Sequence, residues 1–278
     1  SIRSLLVQFH LPALGNEAPV TFAWGRTRQT PDLSAVPSGT GQAGVTVVPV
    51  TWDVPEGFLV LPSYWLCDSQ VIGAQVPMYA HPFPDYDAQI QQYYPLRRDD
   101  PLQGDIRTDG YYSTPHAFYQ LYVRSGDPDI FLAARKELLA YREREIIHEG
   151  PDAGRHVTYH QTRYVYTEAM ADDYFLTGDP RSREVAKTMV EYQTRVFPPS
   201  KAFYPRGATN FWTEREAASP LLGVLAYYEM SGEDHFLQLA KQYVDHLYKT
   251  QQEWPERGGF IHNLYAHDTE EGARPDEY

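Results

Sequence analysis

The spacing of apolar and polar positions differs between the first part of the chain and the rest. Up to about residue 80, short apolar runs such as APVTFAWGR, GVTVVPVTW, GFLVLPSYW and SQVIGAQVPMY are separated by Gly and Pro, a pattern typical of β-strands. Segment 81–110 carries several prolines and charges, which favours an irregular connector with room for one short helix. From residue 111 the apolar spacing becomes three and four, which predicts helices. The pattern therefore predicts a mixed protein with a β-rich region over 1–80, a connector over 81–110 and a helical domain over 111–278.

The helical part contains a repeat that is marked by the turns SGDP, TGDP and SGED. Their glycines are separated by 52 and 54 residues, a tyrosine stands four residues before each glycine, and an alanine stands eight residues after it. The glycines are Gly126, Gly178 and Gly232, the tyrosines Tyr122, Tyr174 and Tyr228, and the alanines Ala134, Ala186 and Ala240. A glycine just past a helix adopts the left-handed cap, and the acidic residue after it begins the next helix. Each unit therefore predicts a helical hairpin.

The two helices of each predicted hairpin differ in their apolar pattern. The first helices, over 159–176 and 213–230, are apolar around much of their circumference, as in ASPLLGVLAYYEM. The second helices have apolar residues every three or four positions and charges elsewhere, so they keep one face in water. This difference predicts an inner and an outer row of helices.

The segments ADDYFLTGDPRSREVAKTMVEYQ and FWTEREAASPLLGVLAYYEMSGEDHFLQLAKQYVDHL resemble the six-hairpin (α/α) toroid of polysaccharide lyases, many glycoside hydrolases and sugar epimerases. The resemblance covers roughly residues 105–270. A β-rich region ahead of such a domain is similar to the multidomain lyases, including the exo-rhamnogalacturonan lyase group. The resemblance implies an N-terminal β-sandwich-like region followed by the α/α hairpins of an (α/α)6 toroid.

The chain departs from this family in the number of its repeats. Six hairpins of this length need roughly 310 residues, and only three fit after Asp105. We therefore expect an incomplete toroid, with the remainder supplied by a missing part of the same chain or by another chain. The sequence does not begin with Met, and its first residues lack the basic, apolar and small-residue order of a signal peptide. These features suggest a mature product or a fragment.

The links between hairpins are long, whereas the turns within them are tight. The links HEGPDAGRHVTYH and FPPSKAFYPRGATNFWTERE lead into the first helices, whose starts are expected to meet at one opening. His156, His160 and Arg163 are spaced to share one face if their helix begins early, although a solvated helix start is an equally good interpretation. Two histidines at this spacing can share zinc, but no third ligand is evident, and we predict no metal and no other cofactor.

Two reaction classes fit the residues near these helix starts. In β-elimination on an acidic glycan, a Tyr or His removes the proton beside the carboxylate while cations neutralise the developing charge. The candidates for catalysis are His160, Tyr159, Arg163, Glu214 and Arg215. The candidates for substrate binding are Asp109, Tyr111, Tyr112, His156, Asn210, Trp212, His262 and Asn263. Glycoside hydrolysis instead needs two carboxyl groups, for which Asp109, Glu214 and Glu216 are available, and Glu214 and Glu216 point in different directions on a helix.

Charge and cysteine content narrow the range of partners. The net charge of −13 and pI near 5.2 argue against nucleic acid and membrane surfaces as partners, because both are bound through clustered cations. Cys67 is the single cysteine, which excludes an internal disulfide framework, and its apolar neighbours predict a buried, inert thiol. The preferred interpretation is a polysaccharide lyase that is extracellular or periplasmic and acts on a polysaccharide or oligosaccharide, possibly anionic. The alternatives are a glycoside hydrolase and a non-catalytic glycan-binding protein.

Overall fold

Helices dominate the part of the chain that its computed structural model describes, which comprises residues 61–78, 80–99, 112–206, 208, 214–255 and 260. The α-helices are α1 (Ser63–Ser69), α2 (Pro84–Asp99), α3 (Thr114–Ser125), α4 (Pro128–Ala140), α5 (Thr167–Thr177), α6 (Pro180–Val196), α7 (Glu214–Ser231) and α8 (Asp234–Glu253). A π-helical turn, Tyr141–Glu145, and the 3-10 turns Thr162–Tyr164 and Pro199–Ala202 complete the helical elements of these residues. None of the α-helices in these ranges is long and apolar enough to cross a bilayer.

The end of the predicted β-rich region is helical. Residues 63–69 form α1, which follows Pro62 and ends where Gln70 takes a left-handed conformation at φ 53°, so the strand predicted there is wrong. Leu66 and Cys67 are buried on the side that packs on α3, and the Cys67 Sγ lies 3.5 Å from the Val123 carbonyl. A short apolar run fits a buried helical turn as well as a strand. The strand predicted at SQVIGAQVPMY is also wrong, because residues 70–78 form turns and an isolated bridge between Val71 and Gly73. Residues 1–60 of the predicted β-rich region lie outside the described residues.

The predicted connector contains a helix that is longer than expected. Helix α2 runs for 16 residues and has Asp85 and Asp87 in its first turn, where negative charge interacts favourably with the helix dipole. Asp87 is fully buried, and its carboxylate accepts hydrogen bonds from Arg124 at 2.5 Å and His81 at 2.8 Å. These hydrogen bonds hold the start of α2 against the end of α3.

The three predicted hairpins are confirmed as α3–α4, α5–α6 and α7–α8. Gly126, Gly178 and Gly232 have φ of 70°, 72° and 70°, so each occupies the left-handed conformation that ends the first helix of its hairpin. Each glycine N–H donates to the carbonyl of the tyrosine four residues earlier, at 2.7 to 2.8 Å. The repeated alanines Ala134, Ala186 and Ala240 are all buried.

The hairpins follow one another in two layers. Helix α5 contacts both α3 and α7, so the first helices of the hairpins form one row. Helix α4 packs on α3 and α5, and α6 packs on α5 and α7, which places them in a second layer. Fully buried side chains between these helices include Tyr119, Leu138, Met170, Met189 and Tyr243.

The predicted first helix of the middle hairpin begins later than expected. The sequence predicts a helix over 159–176, but α5 starts at Thr167 and is preceded by extended backbone and a 3-10 turn. Side chains from other elements bind this backbone: the Tyr141 hydroxyl donates to the Tyr164 carbonyl and accepts from the Tyr166 N–H, both at 2.9 Å. The Gln193 amide of α6 donates to the Val165 carbonyl at 3.0 Å. These tertiary hydrogen bonds replace the ones that a helix would have formed.

Candidate functional site

The segments that lead into α3 and α5 meet the first turn of α7. The Arg215 guanidinium, in the first turn of α7, lies 6.0 Å from the ring centroid of Tyr112, just ahead of α3. Thr162, which precedes α5, donates a hydrogen bond to Glu216 of α7. We call the group formed by Tyr112, Thr162, Arg163, Arg215 and Glu216 the helix-start site.

A proline determines how Glu216 is held. Pro220 lies inside α7 and has no N–H, so the carbonyl of Glu216, four residues earlier, lacks its usual helical donor. The Thr162 hydroxyl takes that place and lies 3.1 Å from this carbonyl oxygen and 3.0 Å from the Glu216 carboxyl Oε2. Because a hydroxyl has only one proton to donate, the carbonyl and the carboxylate of Glu216 share the Thr162 hydroxyl as their donor.

Burial and neighbouring charges have opposite effects on the pKa of Glu216. Burial raises the pKa of Glu216, although the Thr162 hydrogen bond and the charges of Arg163 and Arg215 oppose it. Arg163 Nε lies 3.9 Å from the Glu216 Oε1. Burial, with a smaller contribution from the charge of Glu216, raises the pKa of Tyr204 to about 12. Glu216 is therefore a carboxyl group that retains its proton more strongly than a solvated one.

A second group of polar side chains lies between α3 and α5. His116 Nδ1 is 2.5 Å from the Asp172 Oδ2, and the Gln120 amide nitrogen is 2.8 Å from the other ring nitrogen, Nε2. Glu168 lies one turn before Asp172 on the same face of α5, close enough for its charge to affect His116. No motif in the sequence singles out these residues, although acidic residues within a helix predicted to be buried were the available signal.

Burial and charge change the proton affinity of this group. Burial alone would lower the pKa of His116, but the hydrogen bond to Asp172 and the charges of Asp172 and Glu168 outweigh it and raise the pKa. Burial raises the pKa of Glu168 and of Asp172, in each case against the effect of His116. The His116 side chain is still 29% exposed, so the group is accessible from the surface.

The predicted helix face that His156, His160 and Arg163 were to share does not exist. His156 lies in the extended link before α5 and is only 1% exposed. Its Nδ1 accepts the N–H groups of Thr158 and Tyr159, both at 3.1 Å, and its Nε2 faces the Glu145 carboxylate at 3.2 Å. A side chain so enclosed organises the link, and the prediction that it contacts substrate is not supported by its position.

We expect His156 to make the protein less stable in acid. Burial, with the charge of Arg155, lowers the pKa of His156 to about 4, whereas an unfolded histidine titrates near 6.5. Between these values the unfolded chain binds the proton and the folded chain does not, so the free energy of unfolding falls as pH drops from about 6.5 to 4, by about 3 kcal/mol.

Urea unfolding across this pH range measures the effect. His156→Gln should remove this part of the pH dependence, whereas His235→Gln, on the exposed start of α8, should leave it unchanged. Equal pH dependence in the wild type and in His156→Gln would contradict the assignment.

The other predicted catalytic residues lie in different surroundings. His160 is exposed, with Arg155 Nη1 at 3.1 and 2.9 Å from its two ring nitrogens, and its carbonyl accepts a hydrogen bond from the Tyr192 hydroxyl at 2.7 Å. The Tyr159 ring packs on Tyr164 with centroids 4.5 Å apart. His160 is thus attached to α6, whereas Arg163 faces α7.

The remaining candidates divide between the helix-start site and undescribed segments. Glu214 and Arg215 are half-buried in the first turn of α7, and Tyr112 is 70% exposed. The positions that lie outside the described residues are Asp109, Tyr111, Asn210, Trp212, His262 and Asn263. Within the described part of the chain, no three His, Cys, Asp or Glu side chains are grouped so that they could hold a metal ion.

The chain was compared with protein-family models, with curated proteins and with solved structures, and none of the three comparisons found a match.

Proposed function

We propose that the chain is part of a carbohydrate-active enzyme and that the helix-start site binds an acidic glycan and cleaves it by β-elimination. The observation that carries this proposal is the meeting of the segments before α3 and α5 with the first turn of α7, which brings cations, an exposed tyrosine and a titratable carboxyl group together from distant parts of the sequence. The three hairpins would then belong to an (α/α) toroid preceded by a β-sandwich, in a protein of the extracellular or periplasmic space.

Cations at this site favour an anionic ligand. The chain has a net charge of −13, yet Arg163 and Arg215 both lie beside Glu216. Arginine pairs with carboxylates through two parallel hydrogen bonds, and β-elimination requires that the charge developing on the carboxylate be stabilised. A uronate carboxylate is therefore the group we expect beside Arg215.

The exposed Tyr112 ring supports a sugar as the ligand. The residue is 70% exposed, and the Arg215 guanidinium lies 6.0 Å from the centroid of its ring. A tyrosine combines an apolar face with a polar tip, and this suits the half-polar surface of a pyranose. Tyr112 is expected to support the sugar ring whose carboxylate approaches Arg215.

Glycoside hydrolysis is the second candidate, and the raised pKa of Glu216 is the observation that favours it. A hydrolase needs one carboxyl group that remains protonated and one that is ionised. Glu216 fits the first requirement, and Glu214 is the nearest candidate for the second. Their separation by two positions on α7 directs them differently, which is why elimination is preferred.

A panel of acidic and neutral polysaccharides tests the proposal. A lyase produces ultraviolet absorbance from the unsaturated uronate together with new reducing ends, on acidic polymers only. Arg215→Ala should lower kcat/KM about tenfold or more, equivalent to about 1.4 kcal/mol, while Arg181→Ala, on the partly exposed surface of α6, should leave it unchanged.

Three other results would count against the preferred reaction. New reducing ends without ultraviolet absorbance would identify a hydrolase. Binding of glycan without any turnover would identify a glycan-binding protein. Equal loss of activity in Arg215→Ala and Arg181→Ala would remove the helix-start site from the proposal.

A further inference from the structure

The position twelve residues after each hairpin glycine is apolar in all three hairpins but is buried in only two of them. Leu138 on α4 and Val190 on α6 are both 0% exposed, whereas Val244 on α8 is 53% exposed. Helices α4 and α6 each pack on the first helix of the following hairpin, α5 and α7 respectively. Within the described ranges no helix follows α8, and its equivalent valine lies at the surface.

The first helices show the same change seven residues before the glycine. Tyr119 on α3 and Ala171 on α5 are buried, whereas Leu225 on α7 is 40% exposed. Helix α3 packs on α5, and α5 packs on α7. Single exposed apolar side chains are ordinary on a protein surface. Here, however, two positions that are buried in both earlier hairpins are exposed together in the last one.

The exposed positions belong to one side of each helix of the last hairpin. Leu225 and Glu229 are one turn apart on α7, and Lys241, Val244 and Tyr248 are spaced by three and four residues on α8, so each set shares a helix face. All five residues are exposed, and the two helices pack on each other. We call this surface the end face.

The opposite end of the row of hairpins is already covered. Helix α1 packs on α3, and Asp87 at the start of α2 binds Arg124 at the end of α3. Among the residues of α3, all of which are described, only Ala117 is exposed. A head-to-tail array of copies would need a second apolar face at α3, whereas a two-fold pair uses one face twice. The hairpins therefore favour a closed pair of copies over an open array.

The charges of the end face are compatible with pairing to itself. Glu229 on α7 and Lys241 on α8 have opposite signs and are both exposed, so a two-fold axis through the face can bring the acid of each copy towards the base of the other. A face with charges of a single sign would repel its own copy. Apolar side chains rimmed by polar ones are typical of a protein-binding surface.

We propose that the end face binds the same face of a second copy of the chain, with α7 of one copy against α7 of the other across a two-fold axis. The α7 of the second copy occupies the place that α7 itself takes beside α5, so the row of first helices continues from one copy into the other. Burial of Leu225, Val244 and Tyr248 stabilises the pair. This inference is independent of the proposed glycan reaction.

Sedimentation equilibrium of the 278-residue chain tests the pairing. The wild type should reach twice the 31.9 kDa mass of one chain as its concentration rises. Val244→Glu and Leu225→Glu should each raise the Kd of the pair at least about tenfold, because the new charge would be buried in the contact. Val157→Glu, at an exposed valine in the link before α5, is the matched control and should leave the Kd unchanged.

A cross-link provides a second measurement that does not depend on the folding of the glutamate variants. The single native cysteine, Cys67, is buried, so it does not compete with a thiol placed at the surface. Oxidation of Leu225→Cys should join two copies through a disulfide, because this position lies where the two α7 helices meet. Val157→Cys should remain a single chain under the same conditions.

The remaining outcomes overturn the proposal in distinguishable ways. If the mass stays that of one chain at every concentration, the occupant is not a second copy, and a thiol reagent applied to Val244→Cys identifies the alternative. A protected thiol would show that another segment of the same chain covers the end face, and a reactive thiol would leave the face to a different protein. A pair that persists in both glutamate variants, or that Val157→Glu weakens equally, would show that the contact between copies lies elsewhere.

Discussion

Gly154→Ala is expected to destabilise the protein by at least about 3 kcal/mol, as a backbone collision in a packed region. A Cβ at this position would lie 2.1 Å from the carbonyl oxygen of Thr188 and 2.9 Å from the Cα of Met189. Both atoms belong to the backbone of α6, so relief requires displacement of a helix that lies in the core. Gly154 also has φ of 88°, where an alanine is strained even in open space.

Gly150→Ala in the same link is the matched control. Gly150 has φ of 81°, but a Cβ there would meet nothing within 4 Å. This variant therefore measures the cost of the left-handed conformation alone, about 1 to 2 kcal/mol. Urea unfolding of both variants gives the difference, and equal losses of stability would contradict the collision with α6.

The surroundings of Gly150 and Gly154 show the structural role of the link between the first two hairpins. The length of this segment predicts that it carries binding groups, because long loops on helical scaffolds usually do. In the structure, Gly154 lies against α6, and His156 fixes the turn that follows through its own hydrogen bonds. Part of the link is thus a packed structural element, and only its end, at Thr162 and Arg163, reaches the helix-start site.

The features of the fold that depend on neighbouring residues were predictable from the sequence. The turns at Gly126, Gly178 and Gly232 follow from the left-handed conformation that ends a helix, which requires only a few consecutive residues. The start of α5 was not predictable in this way, because Tyr141 and Gln193 bind its preceding backbone from other elements. No local pattern encodes contacts between residues so far apart in the chain.

In the candidate site, too, the features that depend on neighbouring residues were predictable, and the contacts between distant residues were not. Arg215 and Tyr112 were identified because cations and aromatic residues near predicted helix starts are visible in the sequence. The contact between His116 and Asp172 joins residues 56 positions apart, and neither residue type is informative alone. The role of Pro220 in freeing the Glu216 carbonyl for Thr162 also requires the packing of α7 against the link.

Arg135→Met is expected to have the second large effect, a loss of about 3 to 5 kcal/mol, because it removes one partner from a buried ion network. The guanidinium of Arg135 binds Asp173 through Nη1 and Asp179 through Nη2, the latter at 2.6 Å, and all three side chains are buried. Arg142 is a second partner of Asp179, at 2.7 Å. Without Arg135, Asp173 retains only neutral hydrogen-bond donors among the described residues, including the Tyr119 hydroxyl at 2.6 Å.

The repeat itself gives no indication of this network. The positions that correspond to Arg135 in the other two hairpins are occupied by Lys187 and Lys241, and both are exposed. Asp179 is at once the cap of α6 and a partner of two arginines on the preceding hairpin. The network therefore joins the first hairpin to the second and has no equivalent at the exposed lysines.

The pH dependence of unfolding gives the Arg135 prediction its most specific test. Burial would raise the pKa of Asp179, but the hydrogen bonds and charges of Arg142 and Arg135 outweigh it and lower the pKa. A lowered pKa contributes stability above the unfolded value near 3.9, and that contribution is lost as the pH falls through the folded value. The difference between the wild type and Arg135→Met should therefore be largest near neutral pH and should shrink below about pH 4. Arg181→Met, which breaks only the partly exposed pair with Glu184 at 3.5 Å, should cost less than about 1 kcal/mol; a similar cost for both variants would show that the buried network contributes no more than a surface ion pair.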